Sequence, residues 1–272
     1  MLQEAWKLLE LQFRNSLKVL NDDVHYKNYA LEKWRHSQQV AGAGNYIIPK
    51  INWLKKKSDD YIDMVKSAVL LHDVCRFTEM VYKYKFNKKY DHGVGASEFL
   101  QHTAMFNDIR IWLPIKHHGH IIERLYEDEV FQVITDTNLK KEVELICFII
   151  RDADKIANLN MLVNEPAVQA IFLNSEIEDK ERDANLSEVV KASAFRETTV
   201  ARSERATAAD RITGYVSWFM DINYQAAIDY CDKLMIKPKL FALFDEICAD
   251  NEFKPQYKEF VNTYLRKHKF ID

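Results

Sequence analysis

The 272-residue chain has few of the residues that make tight turns: six glycines and five prolines. A β-sandwich or β-barrel joins many short strands through turns that depend on both residue types, so these folds are disfavoured. Apolar residues recur instead with helical periodicity, and we find no internal repeat and no convincing alternating strand. The sequence therefore predicts an all-α fold.

Cysteine is scarce and scattered. Cys75, Cys147, Cys231 and Cys248 form no CxxC pair, which favours reduced thiols over a disulfide framework or a zinc–thiolate site. The first residues, MLQEAWKLLELQFRNSL, carry acidic groups and lack the apolar stretch of a signal peptide. No window approaches the roughly 18 apolar residues of a membrane span. We expect a cytoplasmic protein that does not enter a membrane.

Neither sign of charge dominates, because 38 Lys and Arg oppose 41 Asp and Glu for a formal net charge of −3. This balance disfavours general nucleic-acid binding, and it leaves the oligomeric state open.

The more polar stretch from about 164 to 207 predicts connections with one or two short helices. The periodicity elsewhere predicts helices near residues 2–20, 27–48, 60–80, 91–104, 108–125, 139–163, 208–235 and 238–248.

Several metal-competent side chains fall on the apolar stripes of these helices, where positions i, i+3, i+4 and i+7 coincide. They are His36, His72, His92, His118 and Asp154. Any one histidine of this kind is usually a core residue that donates to a carbonyl, and a lone buried aspartate usually pairs with a cation. Burying all of them together, with Asp73, would leave several desolvated polar groups competing for partners. A metal centre explains the set better.

Spacing alone does not define the ligands. The chain has no HExxH or CxxC motif, and adjacent residues on a helix diverge by about 100°. The helical pattern therefore does not establish that the neighbours His72 and Asp73 bind the same ion. Imidazole and carboxylate together suit transition metals better than calcium.

The order of His36, the His72-Asp73 doublet and Asp154 resembles the H…HD…D signature of the HD superfamily of metal-dependent phosphohydrolases. The similar stretches are RHSQQVAGAG, LLHDVCRF, DHGVGASEFL, IKHHGH and RDADKIANL. The tail, including YVSWFMDINYQAAIDY, resembles the C-terminal helices of a subgroup of small bacterial HD proteins. The resemblance implies one all-helical domain over residues 1–272, with an HD helical bundle over about 25–165 and a C-terminal helical extension over about 166–272.

The resemblance also implies the ligand set. In that family the first histidine, the doublet and the last aspartate hold one ion, which gives His36, His72, Asp73 and Asp154. His92 and His118 match the positions that add a second ion, with Asp73 as the bridge. We expect one or two divalent transition-metal ions per chain, drawn from Mn, Co, Fe, Ni and Zn, with Asp152 beside the centre.

The implied reaction is cleavage of a phosphate ester of a nucleotide or another small phosphorylated metabolite by a metal-bound hydroxide. Asp73, Arg76 and Lys155 are the catalytic candidates. Arg76 offers bidentate donors to a phosphoryl group, although a surface ion pair is an equal alternative. Arg76, His117 and His120 are the candidate substrate contacts.

The segment YKYKFNKKYDH, residues 82–92, interleaves lysines with aromatic residues between two ligands. It is either a solvated loop or a surface for a nucleotide, and single-stranded nucleic acid could use the same features. The negative net charge favours the small substrate. Two further functions fit the resemblance: a di-iron oxygenase of HD type, and a non-catalytic nucleotide-binding sensor, which the intact ligand positions disfavour.

Overall fold

The computed structural model describes residues 1–20, 23–174 and 184–272. Over these ranges the chain is all-α, as predicted, and no strand occurs in them. An isolated bridge pairs Tyr224 with Ile271. Within the same ranges, no helix combines the length and apolarity needed to cross a membrane. Part of the predicted connection between 164 and 207, namely residues 175–183, lies outside the described residues.

The chain divides into two compact units. Unit 1 comprises Met1–Asp154 and Asp272, and unit 2 comprises Lys155–Ile271. The implied division into an HD core over about 25–165 and an extension over about 166–272 within one domain stays a prediction.

The helices of unit 1 carry every ligand predicted from the sequence, and the last of them continues past the boundary of the unit. They are α1 (Leu2–Val19), α2 (Val24–Ile47), α3 (Asp59–Leu71), α4 (Arg76–Phe86), α5 (His92–Gln101), α6 (Ile109–His117), α7 (Glu123–Tyr126), α8 (Glu129–Val133) and α9 (Thr137–Asn164).

Unit 2 is also helical. Its helices are α10 (Pro166–Asn174), α11 (Glu188–Ser193), α12 (Ala208–Val216), α13 (Gln225–Lys233), α14 (Ile236–Ile247) and α15 (Phe253–Lys267). A 3₁₀ segment, Ser217–Asp221, follows α12, so the single helix predicted over 208–235 is wrong.

The helix predicted over 60–80 is also wrong, because α3 ends at Leu71 and α4 begins at Arg76. The intervening residues form turns in which the Val74 amide donates to the Leu71 carbonyl at 3.0 Å and the Arg76 amide donates to the Asp73 carbonyl at 2.9 Å. The doublet therefore lies in a turn. The prediction over 108–125 fails similarly, since α6 ends at His117.

Short polar residues fix where three helices that carry or adjoin the predicted ligands begin. The Ser58 hydroxyl accepts the Tyr61 amide at the start of α3, and the Asp108 carboxylate accepts the Arg110 amide at the start of α6. Asp91 accepts the amides of Gly93 and Val94 at the start of α5. Each cap satisfies backbone donors that the first helical turn leaves open.

Glycines allow two close helix contacts in unit 1. A Cβ on Gly44 of α2 would lie 2.8 Å from Val69 Cγ1 of α3, and a Cβ on Gly93 of α5 would lie 2.8 Å from the Lys116 carbonyl oxygen of α6. The first contact holds α2, which contains His36, against α3, which ends just before His72. The second holds α5, which begins at His92, against α6, which ends just before His118.

The contact at Gly44 can be tested against Gly42, which lies on the same helix with nothing within 4 Å of an added Cβ. We expect Gly42→Ala to raise the free energy of unfolding by about 0.5–1 kcal/mol, since alanine favours a helix interior. Gly44→Ala should lower it by about 1–3 kcal/mol, because the rigid Val69 side chain must shift. Urea unfolding measures both, and equal stability of the two variants would contradict the close contact.

Candidate metal centre

The predicted ligands lie at different positions in their helices. His72 directly follows the last residue of α3 and His118 the last residue of α6, whereas His92 is the first residue of α5. Asp73 lies in the turn between α3 and α4. His36 and Asp154 lie inside α2 and α9.

Four of these side chains form a first group. His36 Nε2 lies 2.9 Å from Asp154 Oδ1 and 3.9 Å from Asp73 Oδ2. His72 Nε2 lies 3.7 Å from Asp73 Oδ2 and 3.7 Å from Asp154 Oδ1. Two imidazoles and two carboxylates thus converge from α2, α9 and the turn after α3.

Asp73 joins the other two histidines in a second group. Its Oδ1 lies 3.1 Å from His92 Nε2 and 3.6 Å from His118 Nε2. The two imidazole nitrogens lie 3.4 Å apart. Ligand atoms of the sets His36, His72, Asp73 and Asp73, His92, His118 lie within 4.8 Å of one another.

The Asp73 carboxylate therefore presents a different oxygen to each group. Ligands that each lie about 2.1 Å from an ion are about 3.0–3.5 Å apart at angles of about 90–110°. The separations given above run from 2.9 to 3.9 Å, and so lie in this range or within about 0.4 Å of it. The buried clusters could hold metal ions.

The centre is nearly closed to solvent. The side chains of His36, His72, Asp73 and His118 are at most 3% exposed, whereas that of His92 is 15% exposed and that of Asp154 is 20% exposed. Solvent therefore reaches the centre along its His92 and Asp154 sides.

Helix ends orient two of the imidazoles. Nδ1 of His72 lies 2.9 Å from the Val69 carbonyl oxygen, and Nδ1 of His118 lies 2.7 Å from that of Ile115. Because a carbonyl oxygen only accepts, each Nδ1 carries the proton and each Nε2 of the neutral ring presents a lone pair to the centre.

The Nε2 lone pair of His72 supports metal binding most directly. It has no hydrogen-bond partner among the described residues, although the side chain is completely buried. Burial lowers the pKa of His72 to about 3 despite the nearby carboxylates of Asp73 and Asp154. A neutral imidazole with a buried, unsatisfied lone pair is unfavourable unless a cation receives it. The residues present therefore fit a metal ion.

The surroundings of both carboxylates of the centre favour the ionised form. Burial alone would raise the pKa of Asp73, but the Arg76 guanidinium and the surrounding imidazoles hold it well below its usual range. Burial opposes ionisation of Asp154 as well, and the hydrogen bond and charge of His36 lower its pKa overall. For His118, burial favours the neutral ring, yet the hydrogen bond and charge of Asp73 leave its pKa raised.

Arg76 lies beside the second group. Its Nη1 is 2.5 Å from Glu79 Oε2, its Nη2 is 2.9 Å from His92 Nε2, and its Nε is 3.5 Å from Asp73 Oδ1. The side chain is 21% exposed, so this guanidinium is an accessible cation next to the ligands. Its contact with a substrate stays a prediction.

The other predicted site residues contact side chains outside the two groups. Nε2 of the buried His117 lies 2.8 Å from Asp128 Oδ2, and Nε2 of the exposed His120 lies 3.6 Å from Asp91 Oδ2. The Lys155 ammonium, in unit 2, pairs with Asp221 at 2.9 Å. The roles of His117, His120 and Lys155 in substrate binding or catalysis stay predictions. Asp152, which was expected beside the centre, is fully buried.

Two residues that were not predicted from the sequence contact the predicted ligands or their backbone. Nη1 of Arg151 donates to the His118 carbonyl oxygen at 3.3 Å and to that of His120, and so ties α9 to the end of α6. Glu79 contacts both Arg76 and His92. The available signal was spacing, because Arg151 precedes Asp154 by three residues and Glu79 follows Arg76 by three.

No family model, no curated protein and no solved structure matches this chain. The resemblance of five short stretches to the HD superfamily therefore stays a prediction. The evidence on function therefore lies in the geometry of the two groups of side chains.

Single ligand variants should separate the two groups. We expect Asp73→Ala to weaken binding at both by at least about 100-fold, because a direct ligand should matter at least as much as the residues that orient ligands. His36→Ala should affect the first group alone, and His118→Ala the second alone. Elemental analysis after gel filtration in manganese counts the ions.

The matched control is His25→Ala, since His25 is an exposed histidine on α2, the helix that also carries His36. It should bind metal as the parent does. Parental metal content in Asp73→Ala would rule out the bridging arrangement.

Proposed function

We propose that the protein is a metal-dependent phosphohydrolase of the HD superfamily, which cleaves a phosphate ester of a nucleotide or another small phosphorylated metabolite. The observation that carries the proposal is the Asp73 carboxylate, with one oxygen toward His36 and His72 and the other toward His92 and His118. A carboxylate shared in this way suits two ions about 3.5–4 Å apart, the spacing typical of two-metal phosphoryl-transfer sites.

His36, His72, Asp73 and Asp154 would hold the first ion, and Asp73, His92 and His118 the second. This mixture of imidazole and carboxylate supports Mn, Co, Fe, Ni or Zn as the metal. Divalent ions bound there would lower the pKa of a bound water, so that hydroxide is available near neutral pH.

The chain's own contribution to substrate binding centres on Arg76. Its Nη2 and Nε lie next to His92 and Asp73. The guanidinium is therefore positioned to donate to the oxygens of a phosphoryl group bound beside these two residues. Donors fixed in place before the reaction stabilise the charge that develops on those oxygens. The planar fork suits two phosphoryl oxygens at once.

An exposed aromatic surface, on the segment of chain between Arg76 and His92, supports a nucleotide as the substrate. Tyr82 lies 5.6 Å from Phe86 and 5.1 Å from Tyr90, between ring centroids. Tyr82 is 41% and Phe86 57% exposed, and the surrounding Lys83, Lys85, Lys88 and Lys89 are exposed as well. The segment begins on α4, the helix that starts at Arg76, and ends at His92. A base could stack on the rings while the lysines contact phosphates.

Phosphate release tests the activity. With manganese or cobalt, we expect the parent to hydrolyse members of a panel of nucleoside mono-, di- and triphosphates and other phosphate esters. The double variant His72→Ala/Asp73→Ala should lose this activity, because both ligand groups lose a donor, and it should retain most of its helicity by circular dichroism.

Hydrolysis by the double variant at the parental rate would refute the proposal. Oxygen consumption after anaerobic reconstitution with iron, without phosphate release, would favour the di-iron oxygenase. Nucleotide binding without either reaction would favour the non-catalytic sensor.

The aromatic surface predicts a change in substrate preference. We expect Tyr82→Ala/Phe86→Ala to raise KM for a nucleotide about fivefold or more, since a stacked base contributes about 1–3 kcal/mol. KM for a phosphate ester without a base should stay unchanged, because the metal ligands and Arg76 are intact. Leu11→Ala, at an exposed apolar residue of α1, serves as the control, and an equal rise in KM for both substrates would contradict stacking.

A further inference from the structure

His92 differs from His72 and His118 in how its ring can be oriented. His72 and His118 each follow the last residue of a helix, where the carbonyl three residues earlier accepts their Nδ1–H. His92 is the first residue of α5, directly after the cap Asp91, so no helical turn precedes it to supply such a carbonyl. Its orienting acceptor must come from another element.

Glu79 of α4 supplies a carboxylate at this position. Its Oε2 lies 3.5 Å from Nδ1 of His92, on the side of the ring opposite to Nε2 and Asp73. A shift of about 0.6 Å would give a hydrogen bond of ordinary length. The Glu79 side chain is 28% exposed and the His92 side chain is 15% exposed. Solvent therefore screens the interaction between the carboxylate and the ring only in part.

The same Glu79 oxygen contacts Arg76 Nη1 at 2.5 Å. Glu79 therefore links the ligand of the second group and the cation beside it. The guanidinium also donates through Nη2 to His92 Nε2, the atom that would face the second ion. A carboxylate that retains Arg76 through Nη1 keeps the cation near the centre when Nε2 binds a metal.

We propose that Glu79 is a positioning residue for the second metal ion, which orients His92 through Nδ1 and retains Arg76 beside Asp73. The proposal rests on the binuclear centre of the proposed function, and it does not require a particular reaction. Carboxylates that accept from the distal nitrogen of a metal-bound histidine fix its tautomer and strengthen it as a ligand. The first ion should be insensitive to Glu79, because the side-chain contacts of Glu79 in the described chain are with Arg76 and His92.

Cobalt titration followed by visible absorption, with elemental analysis, tests this role. We expect Glu79→Ala to weaken the second cobalt ion about 10- to 100-fold and to leave the first unchanged. Glu79→Gln should recover much of the affinity, because the amide oxygen can still accept from Nδ1–H. A purely structural role would not produce this rescue.

Two variants calibrate the titration. His92→Ala should lose the second ion, and Glu98→Ala should behave as the parent, because Glu98 is an exposed glutamate on α5, the helix that begins at His92. Circular dichroism checks that each variant is folded.

Parental affinity for both ions in Glu79→Ala would overturn the inference, as would equal loss of both ions, a Gln variant as weak as the Ala variant, or a parent that binds one ion. The proposed function fails separately. If the parent binds two cobalt ions with the expected dependence on Glu79 but releases no phosphate, the inference stands and the phosphohydrolase proposal does not.

Discussion

The buried negative charge of Asp73 is the constraint on which the centre depends. An ionised carboxylate at 2% exposure is stable only when cations or hydrogen-bond donors compensate it, and removing one partner of such a charge typically costs about 3–5 kcal/mol. Compensation comes from Arg76 and from imidazoles on separate helices. The packing of α2, α3, α5 and α6 must therefore be accurate enough to bring those rings to a single carboxylate.

The all-α class and the burial of several polar side chains could be predicted from the sequence because both depend on local pattern, whereas the assignment of the ligands comes from the resemblance and stays a prediction. Scarce glycine and proline with helical periodicity indicated the all-α class, and the apolar stripes indicated that His36, His118 and Asp154 point inward. The turn at 72–75 could not be predicted in the same way, because the apolar periodicity of α3 continues toward the doublet. Its presence removes the divergence of about 100° expected of helical neighbours, so that both His72 and Asp73 can face the centre.

Other features depend on tertiary contacts or were overlooked. Glu79 and Arg151 look like ordinary charged residues at helical spacing, and their contacts arise only when α4 meets α5 and α9 meets α6. Helix α15 is different, since it was predictable and was missed. Its buried residues Phe253, Tyr257, Val261 and Tyr264 have the spacing of an amphipathic helix.

The hydrogen bonds from His72 to the Val69 carbonyl and from His118 to the Ile115 carbonyl link the end of each helix to the orientation of its histidine. The carbonyls of a final helical turn lack the i+4 amide partners of a helix interior. Here an imidazole N–H donates to one of them, which at Ile115 also accepts the His118 amide at 3.5 Å, while the opposite nitrogen points toward the interior. The length of each helix consequently determines the direction in which the Nε2 atom of the predicted ligand points. Lengthening α3 or α6 by even one residue would rotate the histidine away from its carbonyl, so the length of these helices is constrained more tightly than the residues on their surfaces.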